Sequence, residues 1–146
     1  MRILGLDVGE RRIGMALSDP LGLTAQPLSV LERRAAADDL RAIGSLVERH
    51  HVETVVVGLP LTLRGEHGEQ AQRASSFAAA LRRQISVPVR LVDERLTTVQ
   101  GARALREAGA PRRARKQVID RVAAQLILQH FLESERMRHP EPTHDD

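Results

Sequence analysis

Ile3-Leu4-Gly5-Leu6-Asp7-Val8-Gly9 is followed at once by the polar Glu10-Arg11-Arg12 and a second apolar run, Ile13-Gly14-Met15-Ala16-Leu17. Two short apolar runs on either side of a polar turn predict a β-hairpin. Strand alternation sets Ile3, Gly5 and Asp7 on one face. A carboxylate on a packed strand face is costly unless it is paired, hydrogen-bonded or bound to a cation. The flanking Gly5 and Gly9 leave room for a ligand to come close to the backbone. Asp7 is therefore a candidate ligand or catalytic acid; the other role open to it is to accept turn amides at the hairpin.

Outward from the hairpin, a third strand is expected between Leu23 and Leu31, at an edge or with a bulge because Pro27 interrupts it. Leu40, Ile43 and Val47 give helical spacing over Ala35–Val47, and the β-branched run Val52–Leu59, stopped by Pro60, reads as a buried strand. A loop carrying Gly65, His67 and Gly68 leads to an Ala-rich helix over Glu69–Gln84, and Val87–Val92 is a further strand. Thr97 and Gln100 have capping-box spacing, which predicts a helix from Thr97 to near Gly109, with Pro111 beyond it. A last helix is expected from Arg115 to Leu132. Residues 1–134 then form one domain, and 135–146, with Pro140 and Pro142, a polar disordered tail. Three early strands followed by strand–helix alternation give a mixed α/β sheet covered by helices.

The chain has no cysteine, which excludes disulfides, zinc-thiolate sites and thiol catalysis. Neither a signal peptide nor a run long enough to span a bilayer is visible, so a soluble, cytoplasmic protein without a membrane partner is expected. A net charge of +3 identifies no partner. Distribution says more: between Arg103 and Arg121 seven basic residues, among them Arg112, Arg113, Arg115 and Lys116, meet only Glu107 and Asp120. That strip suits contact with nucleic-acid phosphates. An ordinary solvated face is the alternative, because Lys116 is the only lysine and arginine is abundant throughout. With two Phe and no Trp or Tyr, aromatic stacking on bases cannot be a major binding term, which favours recognition of backbone and shape.

Two more acids stand in unusual places. Glu94 follows a strand, as Asp7 does, and ligand sites in open α/β sheets form outside the carboxyl ends of strands. Its neighbour Asp93 competes for the same role, with Glu94 preferred for its longer reach. Asp120 heads a helical stripe with Ala123, Ala124, Ile127 and Phe131 that should face the sheet; favourable placement near a helix N-terminus is its other explanation. Three inward acids would repel one another, and divalent cations relieve this. Two ions about 3.5 to 4 Å apart can activate water and stabilise a leaving oxygen, and all-oxygen ligation selects Mg²⁺ or Mn²⁺. Lys116, one turn before Asp120, could touch the scissile phosphate or simply pair within the helix.

These motifs resemble the YqgF family, also called RuvX: Gly5-Leu6-Asp7-Val8-Gly9 with Arg12-Ile13-Gly14, Val57-Gly58-Leu59-Pro60, Asp93-Glu94-Arg95-Leu96-Thr97-Thr98, and Lys116 through Asp120-Arg121 to Ala123-Ala124. The resemblance implies an RNase H-like (RuvC-like) fold, with a five-stranded sheet and helices on both faces. It also implies nuclease activity on Holliday junctions or on the precursor of small-subunit ribosomal RNA, and makes Asp7, Glu94 and Asp120 the metal-binding catalytic set. RuvC resolvases carry a further acid where this chain has Ala123, which sets RuvC-type junction resolution apart from metal-dependent nuclease chemistry in general. Symmetrical cutting of a junction would need two active sites and hence a homodimer. Two other classes fit the sequence less fully: a non-catalytic nucleic-acid-binding module, and a phosphotransferase of the actin-like type, which would need a second domain to close over its nucleotide.

Overall fold

The computed structural model describes residues 2–61, 64–94 and 113–138, with the helix path alone for 113–121. Strands β1 (Arg2–Val8) and β2 (Arg12–Ser18) form the expected hairpin, with Asp7 opposite Gly14 and the turn closed by the Gly9 amide donating to the Arg12 carbonyl at 2.8 Å. β3 (Ala25–Glu32) is antiparallel to β2 at the sheet edge. Its register slips where Met15 pairs with Ser29 and Ala16 with Pro27, so the proline sits beside a bulge on an edge strand, where its missing N–H does least harm. Ahead of β3, Asp19 accepts the Leu23 and Thr24 amides at 2.7 and 2.8 Å, and these donors hold its carboxyl below the usual range.

β4 (Val52–Leu59) runs parallel to β1, and β5 (Val89–Asp93) parallel to β4, giving the mixed order β3-β2-β1-β4-β5. Helices α1 (Ala36–Arg49), α2 (Glu69–Gln84) and α3 (Arg113–Arg138) complete the described elements. The last helix runs six residues past Leu132, where its end was expected, and its extension is anchored by an ion pair between Glu135 and Arg90 at 2.7 Å. The helix expected over 97–109 lies outside the described residues, as does the sequence beyond Arg138.

Strand parity divides the core. Leu4, Leu6, Val8, Val55, Val57 and Leu59 pack with Ile43 and Val47 of α1 and Ala71, Ala74, Phe77, Ala78 and Leu81 of α2. On the opposite face Ile3, Ala16 and Val56 pack with Ala124, Leu128, Phe131 and Leu132 of α3. Helices thus cover both faces, as expected. A Cβ on Gly5 would stand 2.8 Å from Leu128 Cβ and 3.3 Å from the Ala124 carbonyl oxygen, so the missing side chain lets α3 lie close against β1. Gln125 and Gln129 of α3 reach across to the edge: one donates to the Ala25 carbonyl and the other accepts its amide.

The turn after β1 is fastened from below. The Arg33 guanidinium donates to the Gly9 carbonyl at 3.0 Å and to Asp39 Oδ2 at 3.3 Å, while Asp39 Oδ1 accepts the Arg34 amide at 2.9 Å. Asp39 is 2% exposed, and Arg33 also lies over the Phe77 ring, 5.4 Å from its centroid. Asp39→Ala should therefore lower folding stability by about 2 to 3 kcal/mol, by stranding a largely buried guanidinium and a backbone amide. Urea denaturation measures it; a loss below about 0.5 kcal/mol would mean that water replaces the carboxylate without cost.

Candidate active site

Asp7 is the penultimate residue of β1, and its parity with Ile3 and Gly5 puts it on the α3 face. It is 4% exposed. On β5, Leu91 packs into the α1–α2 core while Val92 packs toward α3, so alternation turns the exposed Asp93 to the first side and Glu94 to the second. Glu94 is 1% exposed and both of its carboxylate oxygens are buried. Its amide stays tied to the end of β4 through the Leu59 carbonyl at 3.4 Å. Asp7 and Glu94 thus lie on one face, at the carboxyl ends of β1 and β5, with β4 between them.

Gly58 of β4 explains how the intervening strand admits a carboxylate. A Cβ there would overlap Glu94 Oε2 and stand 2.5 Å from Ile127 Cδ1 of α3. The hydrogen in place of a side chain is what leaves space for the Glu94 head group between sheet and helix. No role for Gly58 follows from its sequence position alone; a glycine inside an otherwise β-branched strand is the signal of such a close approach.

The third expected acid, Asp120, belongs to α3, three and four residues ahead of Ala123 and Ala124, which are fully buried on the sheet side. Asp120, Arg113, Arg115 and Lys116 fall where the helix path alone is described, and Arg112 lies outside the described residues. Among the described residues no three His, Asp, Glu or Cys side chains gather to hold a metal ion. Asp7 and Glu94 nevertheless suit a hard divalent cation in donor chemistry: both offer carboxylate oxygens, both are withdrawn from water, and Gly58 makes room for the head group of one of them. His50 caps α1 and His51 follows it in the left-handed region at φ 53°, at the end of the strands opposite Asp7 and Glu94.

A cavity of about 270 Å³ opens beside Asp7. Val8, Gly9, Glu10 and Pro60 line it from the strand ends, and Glu69, Gln70 and Arg73 from the first turns of α2. Sequence reasoning did not single out these α2 residues, because their approach to Asp7 depends on how the helix docks.

A mixed five-stranded sheet with helices on both faces, and acids at the carboxyl ends of its parallel strands, defines an RNase H-like α/β domain. Two solved structures share the fold. Thermus thermophilus RuvC in complex with a Holliday junction substrate superposes with a TM-score of 0.58 at 19% identity, covering 95% of this chain and 97% of that one. The Fowlpox virus resolvase, solved with its substrate Holliday junction DNA, gives 0.55 at 11% identity, covering 92% and 99%. The chain belongs to the RuvX family, described as Holliday junction resolvase, which it matches over residues 1–134. Among its relatives are proteins named "Putative pre-16S rRNA nuclease" from Moorella thermoacetica, 53% identical over 91% of this chain and 95% of the relative, and from Clostridium acetobutylicum, 45% identical over 92% and 99%. It is thus a member of a nuclease family. Among the described residues no helix is long and apolar enough to cross a membrane.

Gly58→Ala should shift the Glu94 carboxylate or Ile127, costing about 1 to 3 kcal/mol in overpacking. Denaturant titration of the variant checks this; unchanged stability together with an unmoved Glu94 in its crystal structure would show that the cradle has slack.

Proposed function

We propose that this chain is a metal-dependent endonuclease that hydrolyses phosphodiester bonds in structured nucleic acid, with branched DNA and precursor small-subunit ribosomal RNA as the two candidate substrates. The observation that carries the reading is the pair of buried acids, Asp7 and Glu94, brought from separate strands to one sheet face beside a side-chain-free Gly58. Asp7, Glu94 and Asp120 would hold Mg²⁺ or Mn²⁺, with Glu94 favoured over Asp93 because Asp93 is exposed on the other face. Bound there as a pair, the ions would supply an activated water and charge stabilisation for the leaving oxygen, giving 5′-phosphate ends.

What the chain itself contributes is placement. Asp7 is fixed by the β1–β2 turn, which Arg33 holds through the Gly9 carbonyl, and Glu94 by the β4–β5 pairing that precedes it. Rigid carboxylates keep their geometry while charge moves in the reaction, so little reorganisation is needed. Burial against α3 keeps water from competing for the same oxygens. Arg112, Arg113, Arg115 and Lys116 are proposed to meet substrate phosphates, and concerted cutting of a four-way junction would require two copies of the chain.

The test is side-by-side cleavage of a four-way DNA junction and a ribosomal RNA precursor, with Mg²⁺ or Mn²⁺, by wild type and Asp7→Asn. Cleavage should fall by at least about a hundredfold in the variant, since one ligand carboxylate is lost, while binding of the same substrates stays nearly intact. In the variant, replacing Arg112, Arg113 and Arg115 together should flatten the dependence of binding on salt. Equal cleavage by Asp7→Asn and wild type would end the nuclease reading, and an unchanged salt slope would return the arginines to ordinary surface.

A further inference from the structure

The cavity beside Asp7 contains a cation that the fold does not use. Arg73 is half-buried in the wall of α2, yet among the described residues its guanidinium makes no ion pair or hydrogen bond. Arg82 on the same helix shows the usual alternative, donating twice to the Val89 carbonyl at 3.0 and 2.8 Å. An arginine presents five fixed donors suited to phosphate, and leaving them unmatched in a half-buried wall has no structural return. The end of α2 that lines this cavity adds to the field: its cap, Gly68, has no side chain to donate or accept a capping hydrogen bond there.

We propose that this cavity seats a backbone phosphate of the nucleic-acid strand being cut, with Arg73 as its charge partner on the α2 side. This deepens the nuclease reading and rests on it. The cavity, at about 270 Å³, has room for a phosphodiester and its nearest waters. Three acids also line it, and they decide when an anion can enter. Glu10 and Glu69 are exposed, so water and salt screen them; Asp7 is buried and is not screened. The Asp7 charge opposes a phosphate between it and Arg73, and a cation held by Asp7 or its replacement with Asn lowers that opposition. Arg73 then contributes from one side of the strand, and the proposed basic strip of α3 from elsewhere on it.

The experiment measures binding, without turnover, in the Asp7→Asn protein. Fluorescently labelled four-way DNA junction and ribosomal RNA precursor are titrated against Asp7→Asn alone and with Arg73→Gln, Arg73→Lys or Arg83→Gln added, across a range of salt. Arg83 is exposed at the far end of α2 and serves as the charge-matched control. Arg73→Gln should weaken binding roughly tenfold at low salt and reduce the log–log salt slope by about 0.9 on duplex, or about 0.7 on a single strand. Arg73→Lys should keep the slope, and Arg83→Gln should change neither quantity. Whichever substrate shows the loss is the one whose strand occupies the cavity. Unchanged affinity and slope for Arg73→Gln, an equal loss from Arg83→Gln, or a melting midpoint lowered in step with the binding loss would overturn the proposal. Cleavage by the single Asp7→Asn variant at the wild-type rate would instead bring down the nuclease reading beneath it, so the two failures are distinguishable.

Discussion

Two carboxylates withdrawn from water on the same sheet face, 4% and 1% exposed, constrain everything around them. Asp7 and Glu94 would lose much of their hydration wherever the chain buried them, so the surrounding structure must hold them in place despite that cost. The opposite face of the sheet carries that load. There the alternate residues of β1 and β4 meet α1 and α2 in a continuous apolar core, with the Arg33–Asp39 pair beside Phe77 as its buried charges. The two buried acids thereby share one end of the α3 face.

Small residues are the means by which α3 and the acids share that face. Gly5 lets the helix lie against β1, Ala123 and Ala124 keep its contact surface flat, and Gly58 gives way to the Glu94 head group. The Arg33–Asp39 pair works from the other direction, tying the turn after Asp7 to the start of α1. A flexible turn would let Asp7 relax toward water and relieve its desolvation; the tie opposes that motion.

Much of this was legible in the sequence. The β1–β2 hairpin, the uninterrupted β4 and the Ala-rich α2 followed from apolar period and punctuation, and β4 and α2 match their expected bounds. The Pro27 edge was legible because proline removes a ladder donor wherever it falls. Burial of Asp7 followed from alternation in a strand with apolar neighbours. Other features depend on tertiary contacts that no local pattern encodes. Which of Asp93 and Glu94 turns toward α3 depends on which β5 residues meet which core, and the packing of Leu91 and Val92 decides that orientation. α3 outlasts its apolar stripe because Glu135 finds Arg90, forty-five positions away in sequence. Asp39 and Arg73 were invisible for the same reason: an acid or arginine in an early helical turn reads as surface until its neighbours are known.

Family membership and fold agree on a nuclease scaffold, and the two buried acids are the proposed seat of its chemistry. The claim on which the account stands is that these acids are held out of water to bind a divalent cation together. Its most direct measurement is anomalous diffraction from crystals of the protein soaked in Mn²⁺. The account predicts a manganese peak in direct contact with carboxylate oxygens of both Asp7 and Glu94, absent from crystals of Asp7→Asn soaked in the same way. Manganese bound only elsewhere, at a concentration that supports cleavage, would contradict it.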